Sequence, residues 1–282
     1  MDVQTFVLGH EAAIRLAFFA GVFAIMGVWE VAAPKRGLAL PRSGRWPGNV
    51  ALTVLDALAL RIVFPGAAVG MAVLAEERGW GLLRYFECPE PLAFLLSVLA
   101  LDLVIYLQHV MFHAVPLLWR LHRVHHADLG FDVTTGTRFH PLEILLSMAL
   151  KGFMIAALGP PPVAVLVFEV LLNATSMFNH GNVRIPERID RVLRRFVVTP
   201  DMHRVHHSIE EDEANSNFGF NLPWWDRLFG TYREAPRAPH EDLSIGIRGL
   251  REPAEVARFS AMLRLPFAGK PSDYVINRRR DV

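Results

Sequence analysis

The chain has 282 residues, of which 52% are hydrophobic and 20% are charged, and its formal net charge is +1. This composition is too apolar for an ordinary soluble enzyme and indicates a membrane protein. The near-zero net charge excludes a strong nucleic-acid-binding surface. The single cysteine, Cys88, excludes an internal disulfide and a cysteine-ligated metal cluster.

Three apolar stretches predict spanning helices in the first part of the chain, at about residues 12–33, 50–74 and 92–118. Each is long enough for the roughly 20 helical residues that cross a bilayer. A fourth apolar region, 142–178, is interrupted by Gly159 and three prolines, which cannot continue a helix. It predicts a helical hairpin whose arms either cross fully or stay shallow. We therefore expect an all-α, integral membrane helical bundle with three spanning helices plus the hairpin.

The distribution of basic residues predicts the orientation of this bundle. The loop 34–47 contains Lys35, Arg36, Arg42 and Arg45, whereas no Lys or Arg precedes Arg15. Because cytoplasmic loops carry an excess of Lys and Arg, this loop is expected in the cytoplasm and the N-terminus outside. Since no signal peptide is evident, we expect a multi-pass protein of a bacterial inner membrane.

Eight of the twelve histidines form three clusters, and the pentapeptide H-R-V-H-H occurs twice. Residues three and four apart lie on one face of a helix, so each cluster should project its imidazoles together. With the predicted topology, the clusters and the nearby His140 and His180 converge in a histidine-rich helical cap on the cytoplasmic side. Neutral imidazole is a common metal ligand, and these side chains exceed the needs of one ion. The pattern predicts a two-metal site formed by the clusters His109, His113; His122, His125, His126; and His203, His206, His207.

The spacing alone does not select the metal, because imidazole suits iron, zinc and copper. A catalytic zinc ion usually takes three protein ligands, which would leave most of these histidines unused, whereas two irons would use them all. Three functions remain open from the residues: an O2-dependent oxidoreductase, a zinc-dependent membrane hydrolase, and a non-catalytic metal-binding or transport protein.

The histidine clusters, together with three neighbouring motifs, resemble the fatty acid hydroxylase/sterol desaturase superfamily. The motifs are Arg138–Glu143, Phe178–Asn182 and Asn221–Thr231, and the resemblance covers roughly residues 95–233. It implies a membrane enzyme with a histidine-ligated di-iron centre that uses O2 to hydroxylate or desaturate a lipid C–H bond. It implies that the eight clustered histidines are metal ligands, with His180 as a ninth.

This sequence departs from the family pattern at one position. Family members often have a histidine four residues before the one that matches His180, and here that residue is Ser176. The tenth ligand is therefore left open between His140 and a water molecule.

The resemblance also implies an organisation and partners. We expect transmembrane helices and loops in residues 1–91, the catalytic domain in 92–233 and a cytoplasmic tail in 234–282. The substrate is expected to be a lipid. The sequence has neither a dinucleotide fingerprint nor a flavin site, so the electrons should come from a ferredoxin, a cytochrome b5-like protein or a reductase.

Overall fold

A computed structural model describes residues 3–269 and 274–276, and all the regular structure in these residues is helical apart from isolated β-bridges. The helices, in chain order, are α1 (Val3–Gly9), α2 (Glu11–Ala32), α3 (Arg42–Val63), α4 (Ala67–Glu77), α5 (Leu82–Tyr85), α6 (Glu90–Ala114), α7 (Pro116–His126), α8 (Pro141–Leu158), α9 (Pro162–Asn179), α10 (Glu187–Leu193), α11 (Pro200–His206), α12 (Glu211–Ala214), α13 (Trp224–Leu228), α14 (Pro253–Val256) and α15 (Phe259–Arg264). The predicted all-α fold is confirmed.

Five of these helical segments are long and apolar enough to cross a membrane: α2, the segment Arg42–Tyr85, α6, α8 and α9. They correspond to the three predicted spans and the two arms of the hairpin. The hairpin turn lies at Gly159, whose φ of 68° is the left-handed conformation that glycine adopts without steric cost. Pro160 and Pro161 follow it and keep α8 and α9 separate.

Prolines divide two of the predicted stretches. The second is not one continuous helix, because α3 ends at Val63 and Pro65 and Gly66 precede α4. The third ends at Ala114, since Val115 is extended and Pro116 begins α7. These breaks follow from the missing N–H of proline, and the second one turns the chain into the histidine-rich cap.

Helix α9 is the centre of the bundle and packs against α2, α4 and α6, while α8 packs against α3 and α4. The apolar core between these helices includes Leu101, Ile105, Met148 and Phe168. Inside it, Glu169 accepts from Lys151 at 2.8 Å and from Arg15 at 2.5 Å. This pairing compensates charges that would be costly in a bilayer if they stood alone.

The segment predicted as a basic loop contributes to the interior of the cap. Helix α3 begins inside it, and the Arg45 side chain is fully buried. Its Nε and Nη2 donate to the two carboxylate oxygens of Asp128 at 2.6 and 2.7 Å, and Nη1 donates to Asp132 at 2.7 Å. Such a bidentate pair is rigid, so Arg45 braces the loop that follows α7 instead of facing solvent.

Candidate metal centre

Four helix ends bring the histidines together. His109 and His113 lie in the last turns of α6, and α7 carries the first H-R-V-H-H. The second copy lies on α11, which ends at His206 with His207 as its C-cap, and His180 is the C-cap of α9. Proline occupies the first position of both α7 and α11, where its missing N–H costs nothing.

Nine histidines lie in two groups whose ligand atoms are all within 4.8 Å of one another inside each group. All nine side chains are buried. The five-histidine group contains His109, His113, His122, His126 and His206, and the four-histidine group contains His125, His180, His203 and His207.

The two H-R-V-H-H copies are interleaved between the groups. From the first copy, His122 and His126 join the five-histidine group while His125 joins the other. From the second copy the division is reversed, because His206 alone joins the five-histidine group. The repeat therefore builds one centre with approximate twofold symmetry in its ligand assignment, in which each helix contributes to both groups.

The Nε2 atoms face one another at short distances. In the five-histidine group His109 lies 3.0 Å from both His122 and His206, and His113 lies 3.1 Å from His126. In the other group His180 lies 3.1 Å from each of His125, His203 and His207, measured between Nε2 atoms.

Hydrogen bonds to Nδ1 fix the tautomer of six of the rings. The backbone oxygens of Phe218, Arg138, Ser176 and Ser216 accept from His109, His125, His180 and His206, in that order. The side-chain oxygen of Asn215 accepts from His113, and that of Glu143 accepts from His122. Oxygens of this kind accept a hydrogen bond from Nδ1–H, so each Nε2 presents a lone pair. Lone pairs 3 Å apart repel one another, which is the arrangement that a cation would stabilise.

Burial keeps the imidazoles of α7 and α11 neutral. It lowers the pKa of His122 to about 3 and that of His180, just after α9, also to about 3. Burial and the neighbouring imidazoles lower the pKa of His206 well below its usual value. A neutral imidazole is the form that binds metal, so these residues are ready to act as ligands at physiological pH.

The nitrogen separations distinguish between coordination geometries. With a metal–nitrogen bond of about 2.1 Å, two ligands at a right angle lie about 3.0 Å apart, and two at the tetrahedral angle lie about 3.4 Å apart. The observed 3.0–3.1 Å distances match right angles. The two donor sets therefore fit two metal ions, one that the five-histidine group would hold and one that the four-histidine group would hold.

The four-histidine group is short of one ligand at Ser176. This residue is four positions before His180 on α9, as His109 is four positions before His113 on α6. Its Oγ donates to Gly136 O at 2.8 Å, and its backbone oxygen accepts from His180 Nδ1 at 2.7 Å. Ser176 thus orients a histidine of the group instead of adding a nitrogen to it.

His140 lies outside both groups. It is the N-cap of α8, where its Nδ1 accepts from Leu142 N at 3.2 Å, and its Nε2 lies 3.3 Å from Leu263 O. The structure thus brings together nine of the ten histidines considered as ligands, and it gives the tenth a role at a helix terminus.

Two side chains that orient histidines were not singled out from the sequence. Glu143 Oε1 lies 2.7 Å from His122 Nδ1, and Asn215 Oδ1 lies 3.1 Å from His113 Nδ1. The signal available in the sequence for Glu143 was a carboxylate at the start of a long apolar stretch. For Asn215 there was none, because it comes from a loop far along the chain.

Comparison with known proteins identifies a family and several relatives that are similar to this chain. Residues 94–231 match the fatty acid hydroxylase family, and this range contains all nine histidines of the two groups. No solved structure matches the chain.

Three relatives illustrate the range of similar proteins. The chain is 29% identical to the ornithine lipid hydroxylase OlsE of Rhizobium tropici over 93% of this chain and 78% of the relative. It is 28% identical to the alkylglycerol monooxygenase of Xenopus tropicalis over 67% of this chain and 43% of the relative. It is 29% identical to the cholesterol 25-hydroxylase of Rattus norvegicus over 51% of this chain and 48% of the relative. The chain thus spans less than half of the last two proteins.

Proposed function

We propose that this chain is a membrane-bound, di-iron, O2-dependent hydroxylase of a lipid. The chain fits the fatty acid hydroxylase/sterol desaturase superfamily. The observation that carries the proposal is the pair of histidine groups, in which buried neutral imidazoles direct their Nε2 atoms at one another at 3.0–3.1 Å. Imidazole nitrogen is a ligand that suits iron, and the two groups together offer nine of them.

The proposed reaction converts R–H, O2, two electrons and two protons into R–OH and water. Two irons in the histidine groups would supply the O2 activation and the oxidation of the C–H bond. The electrons would come from an external one-electron donor such as a ferredoxin, a cytochrome b5-like protein or a reductase. The protein itself holds the imidazoles in one tautomer, excludes water from a fully buried centre and positions the lipid.

Hydroxylation is favoured over desaturation by the names of the relatives, which are hydroxylases and monooxygenases. Their named substrates are an ornithine lipid, an alkylglycerol and cholesterol. An ornithine lipid is the first candidate for this chain, because that relative matches 93% of it. The substrate would enter from the bilayer, in which it is already dissolved.

The alternative of a zinc hydrolase is less well supported by the geometry. Catalytic zinc usually binds three protein ligands in a tetrahedral arrangement, whereas the groups offer four and five nitrogens at right-angle distances. Metal transport is also disfavoured, since the ligands gather at one end of the spans and do not line a path across them.

The test is lipid mass spectrometry of cells that express the protein under 18O2, combined with metal analysis of protein purified anaerobically. We expect two irons per chain and one 18O atom in a lipid, and His125→Ala should lower the iron content and abolish the 18O label. His10→Ala, which changes a surface histidine, is the control. Zinc in active protein, or a product without 18O, would overturn the proposal.

The cytoplasmic location of the centre is part of this proposal, and Cys88 offers a direct test. Cys88 is the only cysteine and lies between α5 and α6, at the opposite end of α6 from His109 and His113. A membrane-impermeant maleimide should label it from outside intact spheroplasts. Labelling only after the cells are opened would reverse the orientation.

A further inference from the structure

Two phenylalanines, Phe139 and Phe220, each lie beside histidines of both groups, and no other phenylalanine, tyrosine or tryptophan in the described part of the chain does so. The Phe139 ring stacks on His125 at 4.5 Å and on His122 at 6.4 Å between centroids. The Phe220 ring lies 5.0 Å from His109 and 5.8 Å from His203. Each ring therefore contacts one histidine from each group.

The other aromatic neighbours in the described part of the chain each contact a single group. Phe218 packs on His109, His113 and His206, all in the five-histidine group. Trp119 and Phe112 also contact only that group. Phe131 packs on His180 and His207, both in the four-histidine group.

Phe139 and Phe220 also differ from these residues in what lies behind them. Both join the apolar core of the spanning helices, which includes Leu101, Ile105 and Phe168. In contrast, Phe131 packs with Leu243 and Ile245, and Trp119 with the C-terminal segment. The two phenylalanines therefore form the side of the centre that faces the membrane-spanning bundle.

Hydrogen bonds anchor the side chain of the residue before Phe139 and the backbone oxygen of Phe220. Arg138, which precedes Phe139, donates to Val124 O, to Asn49 Oδ1 and to Val256 O. The Phe220 oxygen accepts from Asn179 Nδ2 at 3.0 Å. Because their neighbours are fixed, the two rings have defined positions beside the imidazoles and can act as rigid walls.

The repeat extends to these residues. Phe139 and Phe220 each lie 17 residues after the first histidine of their H-R-V-H-H copy. The approximate symmetry that distributes the histidines thus also places one aromatic ring after each copy, with both rings at the membrane side of the centre.

We propose that Phe139 and Phe220 form the two walls of a slot through which the methylene chain of a lipid reaches the metal centre, and that they determine which carbon reacts. Flat aromatic faces suit an apolar chain, since they bury methylene groups without hydrogen-bonding demands. The control of the reacting carbon rests on the proposed lipid hydroxylation, whereas the contact with a lipid chain does not.

The first test needs no activity. p-Benzoylphenylalanine is incorporated at position 139, 220, 131 or 218 of the full-length protein in membranes, and the protein is irradiated without O2. Acyl-lipid adducts, identified by mass spectrometry, are expected from positions 139 and 220 and not from 131 and 218. Equal lipid capture at all four positions, or none at 139 and 220, would overturn the slot.

The second test measures which carbon carries the hydroxyl group. In Phe139→Leu and Phe220→Leu we expect an unchanged metal content, because neither residue offers a ligand atom. The ratio of the main product to the product at the next carbon should fall about tenfold, the discrimination that one methylene group in an apolar pocket provides. Phe131→Leu and Phe218→Leu are matched controls that should keep the wild-type ratio.

The outcomes separate the two proposals. Lipid capture at 139 and 220 by a protein that incorporates no oxygen would retain the slot and reject the hydroxylase. Normal hydroxylation with an unshifted product ratio in both variants would retain the hydroxylase and reject the role of the two rings in selecting the carbon.

Discussion

The five-histidine and four-histidine groups are built from the same repeat, yet they differ in ligand number and in how their rings are held. The five-histidine group receives His109 and His113 from α6, whereas the equivalent pair on α9 is Ser176 and His180. Glu143 binds a ring of the first group, while the Nδ1 of His207 in the second has no hydrogen-bond partner in the described part of the chain.

This difference teaches that the two metal positions need not be chemically equivalent. A carboxylate on Nδ1 raises the basicity of an imidazole and strengthens its bond to a metal. A group with fewer nitrogens keeps more positions free for another ligand. We therefore expect the four-histidine group to hold its metal more weakly than the five-histidine group does. We also expect its metal to keep a position free for a ligand that the protein does not supply.

Removing one ligand from each group should give the largest effect. His203→Ala leaves three histidines in the four-histidine group, and His113→Ala leaves four in the other. Both variants should lose activity by about 100-fold or more, since even residues that only orient ligands contribute 10–100-fold. Metal analysis should show a greater loss of metal in His203→Ala. An equal loss in both would contradict the inequality of the groups.

Glu143→Gln should have the next largest effect. The amide oxygen still accepts from His122, but the side chain can no longer supply a negative charge to offset that of a bound metal ion. We expect activity to fall about 10–100-fold and the metal to be removed faster by a chelator. Glu169→Gln is the matched control, because Glu169 is also buried but pairs with Lys151 and Arg15, away from the histidines. Faster metal loss in both variants would point to a general loosening of the bundle.

Ser176→His tests the missing ligand directly. A histidine here would repeat the spacing of His109 and His113 on α6, so it should add a nitrogen to the four-histidine group. We expect slower release of metal to a chelator together with lower activity, because a free position is filled. Ser176→Ala should change neither quantity by much. Chelation kinetics and the lipid assay measure both, and unchanged metal release in Ser176→His would reject this explanation of the asymmetry.

His140→Ala should have the smallest effect, and it tests whether His140 belongs to the metal centre. The loss of an N-cap costs about 1 kcal/mol, so the thermal unfolding midpoint should fall by a few degrees. The content of metal should stay at the wild-type value, since His140 belongs to neither group. His140→Asn should restore stability because asparagine is a good N-cap. Loss of metal from either variant would make His140 a ligand after all.

Parts of the fold could be predicted because they depend on local sequence. The lengths of the apolar stretches predicted the five membrane-spanning segments, and Pro160 and Pro161 predicted the turn of the hairpin. The break at Pro65 was missed because the apolar character continues across it. Arg45 was interpreted as a cytoplasmic loop charge, since its partner Asp128 is 83 positions away and no local pattern connects them.

The candidate site also has features that the local sequence predicts and features that depend on contacts between distant segments. The sequence by itself determined which residues meet, because H-x-x-x-H and H-x-x-H-H place imidazoles on neighbouring turns of a helix whatever surrounds it. Only the tertiary structure decided how they are shared, since His125 and His126 point about 100° apart on α7 and the packing of α7 against other helices sends them to different groups. Glu143, Asn215, Phe139 and Phe220 likewise acquire their roles from contacts between distant segments, which helical periodicity does not encode.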